Sequence, residues 1–177
     1  MSELLKNTIR FVLFIAVQVF ILSKIPPLHR FITPYLYYLY ILWLPFNTSR
    51  GGLMAIAFIF GLTLDYFTHT PGLHAAACVL IAYIRPFVIN VLISQEGADK
   101  NYSSPSITSM GWAPYGTYVL ILTLFHHVYL VFLEWMNFGS LWYFLGKVVA
   151  TSGISLLLIL LTELLFYRKE KFRTNTA

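Results

Sequence analysis

Charge is scarce in this chain: 11% of its 177 residues are Asp, Glu, Lys or Arg, against 58% hydrophobic residues. Mean hydropathy is +0.72. Apolar runs long enough to cross a bilayer recur from Ile9 to Tyr167, which excludes a soluble enzyme. Cysteine is nearly absent. Cys78 stands alone within an apolar run, so no disulfide framework forms within one chain, and the residue reads as a small packing group. The motifs of common hydrolases and nucleotide enzymes are missing: no G-x-S-x-G, no P-loop, no H-E-x-x-H, and no Cys–His pair at useful spacing. A cleavable leader is not indicated either, because Ser23-Lys24-Ile25-Pro26-Pro27 is no small-x-small cleavage site. The net charge of +5 does not point to nucleic acid, since the basic residues flank the apolar runs.

What is present is a series of apolar stretches. A helix that crosses the hydrocarbon core needs about 20 apolar residues. The pattern predicts an all-α integral membrane protein, a six-transmembrane-helix bundle in one domain, with helices at about 9–25, 31–46, 53–68, 73–93, 113–135 and 141–167. Pro26-Pro27 ends the first helix. The second is short and aromatic, carrying Tyr35, Tyr37, Tyr38, Tyr40 and Trp43. Pro86 is expected to kink the fourth. A polar loop spans 94–111, a tight turn 137–140, and a basic tail 168–177.

Six crossings place both termini on one side. Lys6, Arg10, Arg50, Lys100, Arg168, Lys169, Lys171 and Arg173 then share the inner face, against Lys24 and Arg30 outside. This asymmetry predicts cytoplasmic N- and C-termini. Small residues mark expected close approaches of helices: Ala57 with Gly61, Gly72 at the turn, and Gly146, Ala150 and Gly153 along one side of the last helix.

Ionisable groups within membrane spans are costly and face the protein interior. Asp65, His69 and His74 cluster near the outer end of the third and fourth helices. An Asp and two His lack the fourth ligand of a closed zinc site, so a hydrogen-bonded polar cluster is the expectation, with no metal and no cofactor. Arg85 lies too deep to reach the outer interface. Its side chain is expected to reach the inner interface or to pair with Glu163, with Asp65 the alternative partner, either as an ion pair fixing helix register or as part of a buried polar pocket. Glu134 and Lys147 flank the 137–140 turn and are expected to pair across the hairpin. His126 and His127 point to different faces of their helix and read as packing or hydrogen-bonded histidines.

Several segments together carry a resemblance to a known family: Pro34-Tyr35-Leu36-Tyr37, Leu44-Pro45-Phe46-Asn47-Thr48, Gly61-Leu62-Thr63-Leu64-Asp65-Tyr66-Phe67, Pro71-Gly72-Leu73-His74-Ala75-Ala76 and Arg85-Pro86. Over these roughly fifty residues the chain resembles the bacterial rod shape-determining protein MreD. The rest matches only in helix number, basic tail and length. The resemblance implies a fold similar to the S component of ECF transporters. It also implies a non-enzymatic scaffold subunit of the cell-elongation complex that makes peptidoglycan, in the bacterial inner membrane. Its implied partners are MreC directly, then RodA, its class B transpeptidase and MreB, besides membrane lipids. Asp65, Gly72, His74 and Arg85 are the family-like positions, and the resemblance assigns them no chemistry.

Two other functions fit a small membrane bundle. An S-component-like subunit binding a vitamin or other small molecule would need a small-residue surface on its first helix, where only Ala16 stands among bulky residues. A lipid-processing enzyme would need Asp65, His69 or His74 as base or ligand.

Overall fold

The computed structural model describes residues 3–25, 32–93, 103–136 and 140–165. The start of the expected polar loop, most of the 137–140 turn and the basic tail lie outside these residues. Helix α1 spans Glu3–Ala16 and continues as a π-helical turn, Val17–Ile21, and a 3-10 turn, Leu22–Lys24. Then come α2 (Leu39–Leu42), α3 (Arg50–Thr68), α4 (Leu73–Leu92), α5 (Ile107–Met110), α6 (Trp112–Glu134) and α7 (Leu141–Leu165). Among the described residues there is no strand.

Among the described residues, five helices are long and apolar enough to cross a membrane: the α1 run from Leu4 to Lys24, then α3, α4, α6 and α7. Their outward faces carry large exposed apolar side chains, such as Phe58, Phe87, Trp142 and Leu164. In water such a surface would aggregate, whereas the hydrocarbon of a bilayer covers it. The chain is therefore read as a membrane-spanning protein. Pro86 sits inside α4, which runs on to Leu92.

The expected second spanning helix, 31–46, is corrected. Among the described residues 32–46 only Leu39–Leu42 forms an α-turn, flanked by irregular chain and turns. The segment nevertheless makes a return pass through the middle of the bundle. Tyr37, Tyr38, Leu39, Ile41 and Leu42 are completely buried. Near its start, the Leu36 amide meets Gln18 of α1 and the Tyr35 amide meets Ser155 of α7. Near its end, the Trp43 indole meets Phe14 and lies under the Arg10 guanidinium, while its N–H donates to Glu163. The first half of α1 and the last turns of α7 thus lie at one end of the bundle. Five helices and one irregular inner segment replace six helices.

An irregular backbone at membrane depth survives only where its polar groups find partners in the protein. Here they do. The Gln18 carboxamide donates to the Pro34 carbonyl (3.1 Å) and accepts from the Leu36 amide (3.0 Å). The Tyr35 amide donates to Ser155 Oγ (3.2 Å). The amides of residues 39–44 close short turns on the carbonyls of residues 36–41, and the Phe46 amide donates to the Ser103 carbonyl. The π-helical turn of α1 carries Gln18 itself, 3% exposed, so the local widening of that helix coincides with its grip on the inner segment.

Candidate functional site

Two polar clusters hold the inner segment, one at each of its ends. The first is built on the α3–α4 hairpin. Gly61 lies against the first turn of α4 so closely that a Cβ there would fall 2.4 Å from the Ala75 Cα and 2.7 Å from its amide nitrogen. Only glycine permits that approach. One turn later Asp65, 4% exposed, aims its carboxylate at the same place. It accepts from the amides of His74 (2.9 Å) and Ala75 (3.0 Å) and from the Thr70 hydroxyl (3.1 Å). The first amides of a helix have no intrahelical acceptor. Asp65 caps α4 from the preceding helix, with its negative charge at the positive end of the helix dipole.

Asp65 therefore serves backbone amides, and the rings of the two histidines expected beside it go elsewhere. His69 is exposed and ends α3 in the left-handed conformation, φ 58°. His74 is buried and points inward to Tyr37. Gly72 precedes α4 at φ 81° with no atom within 4 Å of a hypothetical Cβ, so backbone conformation and not close packing requires it there. Replacing Asp65 with alanine is expected to cost about 3 kcal/mol, from two buried amides losing a charged acceptor. Asparagine should recover part of this, since one oxygen remains. Thermal unfolding of the purified protein, followed by circular dichroism, reads both variants.

Inward of the cap lies a chain of aromatic hydroxyls and imidazoles. The Tyr37 hydroxyl is 2.8 Å from His74 Nδ1 and 2.8 Å from His126 Nε2. One hydroxyl carries one proton, so it donates to one ring and accepts from the other, and the tautomers of the two histidines are tied together. The Tyr38 ring stacks on His126 at 4.4 Å, and its hydroxyl is 3.0 Å from Thr123 Oγ1. His127 faces away from Tyr37, with Nδ1 2.8 Å from the Thr123 carbonyl and Nε2 3.1 Å from Ser155 Oγ. Among the described residues, His126 Nδ1 and Ser152 Oγ are buried without a hydrogen-bond partner. No group of three or more His, Cys, Asp or Glu side chains gathers as a metal site would among these residues.

The second cluster lies at the other end. Arg85 is 2% exposed. Its Nε donates to the Tyr118 hydroxyl (2.9 Å), which donates onward to the Leu42 carbonyl (2.9 Å), and its Nη2 donates to the Leu44 carbonyl. These carbonyls lie at the last residue of α2 and just beyond it, where no helical amide remains to bond them. The expected ion pair with Glu163 is not formed, and Asp65 is occupied at the far end of the bundle. Glu163 instead accepts from the Trp43 indole N–H (2.8 Å) and from the Tyr115 hydroxyl. Arg85 and Glu163 thus grip neighbouring residues of the inner segment, one through backbone and one through a side chain.

No protein-family model, curated protein or solved structure matches this chain.

The remaining expected positions sort as follows. Lys147 and Glu134 pair across the α6–α7 hairpin at 2.5 Å. Ala57 is buried inside the α3 interface. Along α7, Gly153 is exposed with nothing near it, and Gly146 and Ala150 are half-buried, so the expected close approach along that row is corrected for Gly153. Reading the sequence missed Gln18, Tyr118 and Ser155. The available signal was composition: four tyrosines within six residues, 35–40, bring hydroxyls that need buried partners.

Proposed function

We propose that this chain is an MreD-type scaffold subunit of the bacterial cell-elongation complex. It would lie in the inner membrane with both termini in the cytoplasm, bind MreC, and link it to RodA, its class B transpeptidase and the MreB filament. One observation carries the reading. The segments in which the chain resembles that family supply part of what holds the inner segment in place: Gly61 and Asp65 fix the start of α4, from which His74 reaches Tyr37, and Arg85 holds the Leu44 carbonyl. Their side chains are committed to architecture, as expected of a protein that presents surfaces rather than turning over a substrate.

The same facts weigh against the two other functions. Both oxygens of Asp65 are taken by backbone amides and His74 Nδ1 is bonded to the Tyr37 hydroxyl, so neither stands ready as the base of a lipid-processing reaction. The middle of the bundle, where a small-molecule site of a helical transporter subunit would open, is filled by Tyr37, Tyr38, Leu39, Ile41 and Leu42.

In a rod-shaped host, depletion of the protein should turn rods into spheres within a few generations, and affinity capture from solubilised membranes should recover MreC. Rods of unchanged width with no MreC in the captured material would refute the proposal.

A further inference from the structure

A groove of about 580 Å³ opens between the first half of α1, the end of the inner segment and the first half of α3. Its lining is graded by polarity. Asn7, Thr8, Asn47 and Thr48 stand toward the end of the bundle where α3 begins, and Phe11, Tyr40, Ile56 and Ile59 line the deeper part. The rings of Phe11, Tyr40 and Phe60 close on one another there, with centroids 4.7 to 5.6 Å apart. Ile59 lies about 14 Å past the first residue of α3 at the helical rise, roughly half of a hydrocarbon core about 30 Å thick. The groove walled by both α1 and α3 therefore reaches through one leaflet; the apolar furrow that adjoins it at Thr8 and runs to Ile21 is lined, among the described residues, by the α1 run alone. A crossing helix from another protein would need a track through both leaflets. A lipid has both the length and the polarity order of this groove.

Charge selects the headgroup. Lys6 and Arg10 on α1 and Arg50 at the start of α3 stand within three positions of the polar lining. Against these three basic residues, Glu3 opens α1 next to the lining residue Leu4, Asp65 and Glu134 lie at the opposite end, and Glu163 is engaged by Trp43 and Tyr115, so the positive charge at the mouth prevails. Basic residues at a membrane surface favour anionic lipids.

We propose that this groove holds one acyl chain of an anionic glycerophospholipid from the adjoining leaflet, with the phosphate at the mouth between Asn47 and Arg50. The site does not rest on the scaffold function proposed above.

The test uses the full chain purified in mild detergent and titrated with dioleoyl phosphatidylglycerol, with retained lipid counted by native mass spectrometry. One retained equivalent is expected. Ile59→Trp, at an exposed position, and Ile56→Trp fill the apolar half with an indole and should weaken retention at least ten-fold. Arg50→Gln should weaken it several-fold, and dioleoyl phosphatidylcholine should bind at least ten-fold more weakly. Val149→Trp, on the outer face of α7, should change nothing. Circular dichroism checks that each variant keeps its helices. Retention by both groove variants equal to that of the parent protein overturns the site. Equal retention of the two lipids overturns the anionic headgroup. An Ile59→Cys protein whose thiol is captured in membranes by another protein, and not by a thiol-reactive phosphatidylglycerol, overturns the lipid in favour of a partner helix.

Discussion

Replacing Gly61 with leucine is expected to abolish the α3–α4 contact and, with it, the recovery of folded protein. Even Gly61→Ala should cost at least about 3 kcal/mol, the upper part of the range for overpacked cores. The reason is that the atom met at 2.4 Å is the backbone of Ala75, which has no rotamer to change. To admit one methyl group, α4 must move away from α3 by more than an ångström. That movement also stretches the bonds of 2.9 and 3.0 Å from Asp65 to the His74 and Ala75 amides. The close approach and the cap are therefore coupled, and Gly61→Ala combined with Asp65→Ala should cost clearly less than the sum of the single changes. Thermal unfolding of the three proteins measures this. Full additivity would show that the two residues act independently.

Arg85→Leu is the second large effect. It leaves the Leu44 carbonyl without its charged donor and Tyr118 without the guanidinium that orients it. Each charge-assisted bond is worth about 1.5–3 kcal/mol, so a loss of about 3 kcal/mol is expected, or about 6–12 °C in melting temperature for a chain of this size. Arg85→Lys should rescue little. A lysine ammonium is a single point on a flexible stem, whereas this site uses two nitrogens of a planar fork to reach two acceptors. A melting temperature within about 2 °C of the parent for Arg85→Leu would show that the inner segment holds its course without the clamp.

The sequence made five of the six passes legible, because crossing helices announce themselves by length and hydropathy alone. The sixth was concealed by its own composition. Residues 35–44 are apolar and aromatic enough to read as a helix, but that reading assumes each amide bonds to a carbonyl four positions back. Here the acceptors and donors at both ends come from Gln18, Ser155, Tyr118 and Arg85, and no periodicity reveals partners so distant. A warning was present. Pro34 and Pro45 enclose ten residues, half of what a crossing helix needs.

The site was legible in part for the same reason. That Asp65 and Arg85 are structurally committed follows from the cost of burying charge. Their partners did not follow, because a search for opposite charges overlooks backbone groups. Asp65 found amides and Arg85 found a carbonyl. Wherever a membrane protein interior includes irregular chain, its main-chain dipoles compete with side chains as counter-ions.

The dependence of residues 32–46 on later helices also sets how late in synthesis the protein can finish folding. Tyr35 waits for Ser155, and Trp43 waits for Glu163, each 120 residues downstream. At 5–20 residues per second, translation needs about 6–24 seconds to cover that distance. Throughout that interval the nascent segment lacks two of its final acceptors, so these amide and indole N–H groups must bond to water or to other chain groups until α7 is made. Synthesis of the last helix is then the step that locks the whole polypeptide, and a chain released before it would be a substrate for quality-control proteolysis.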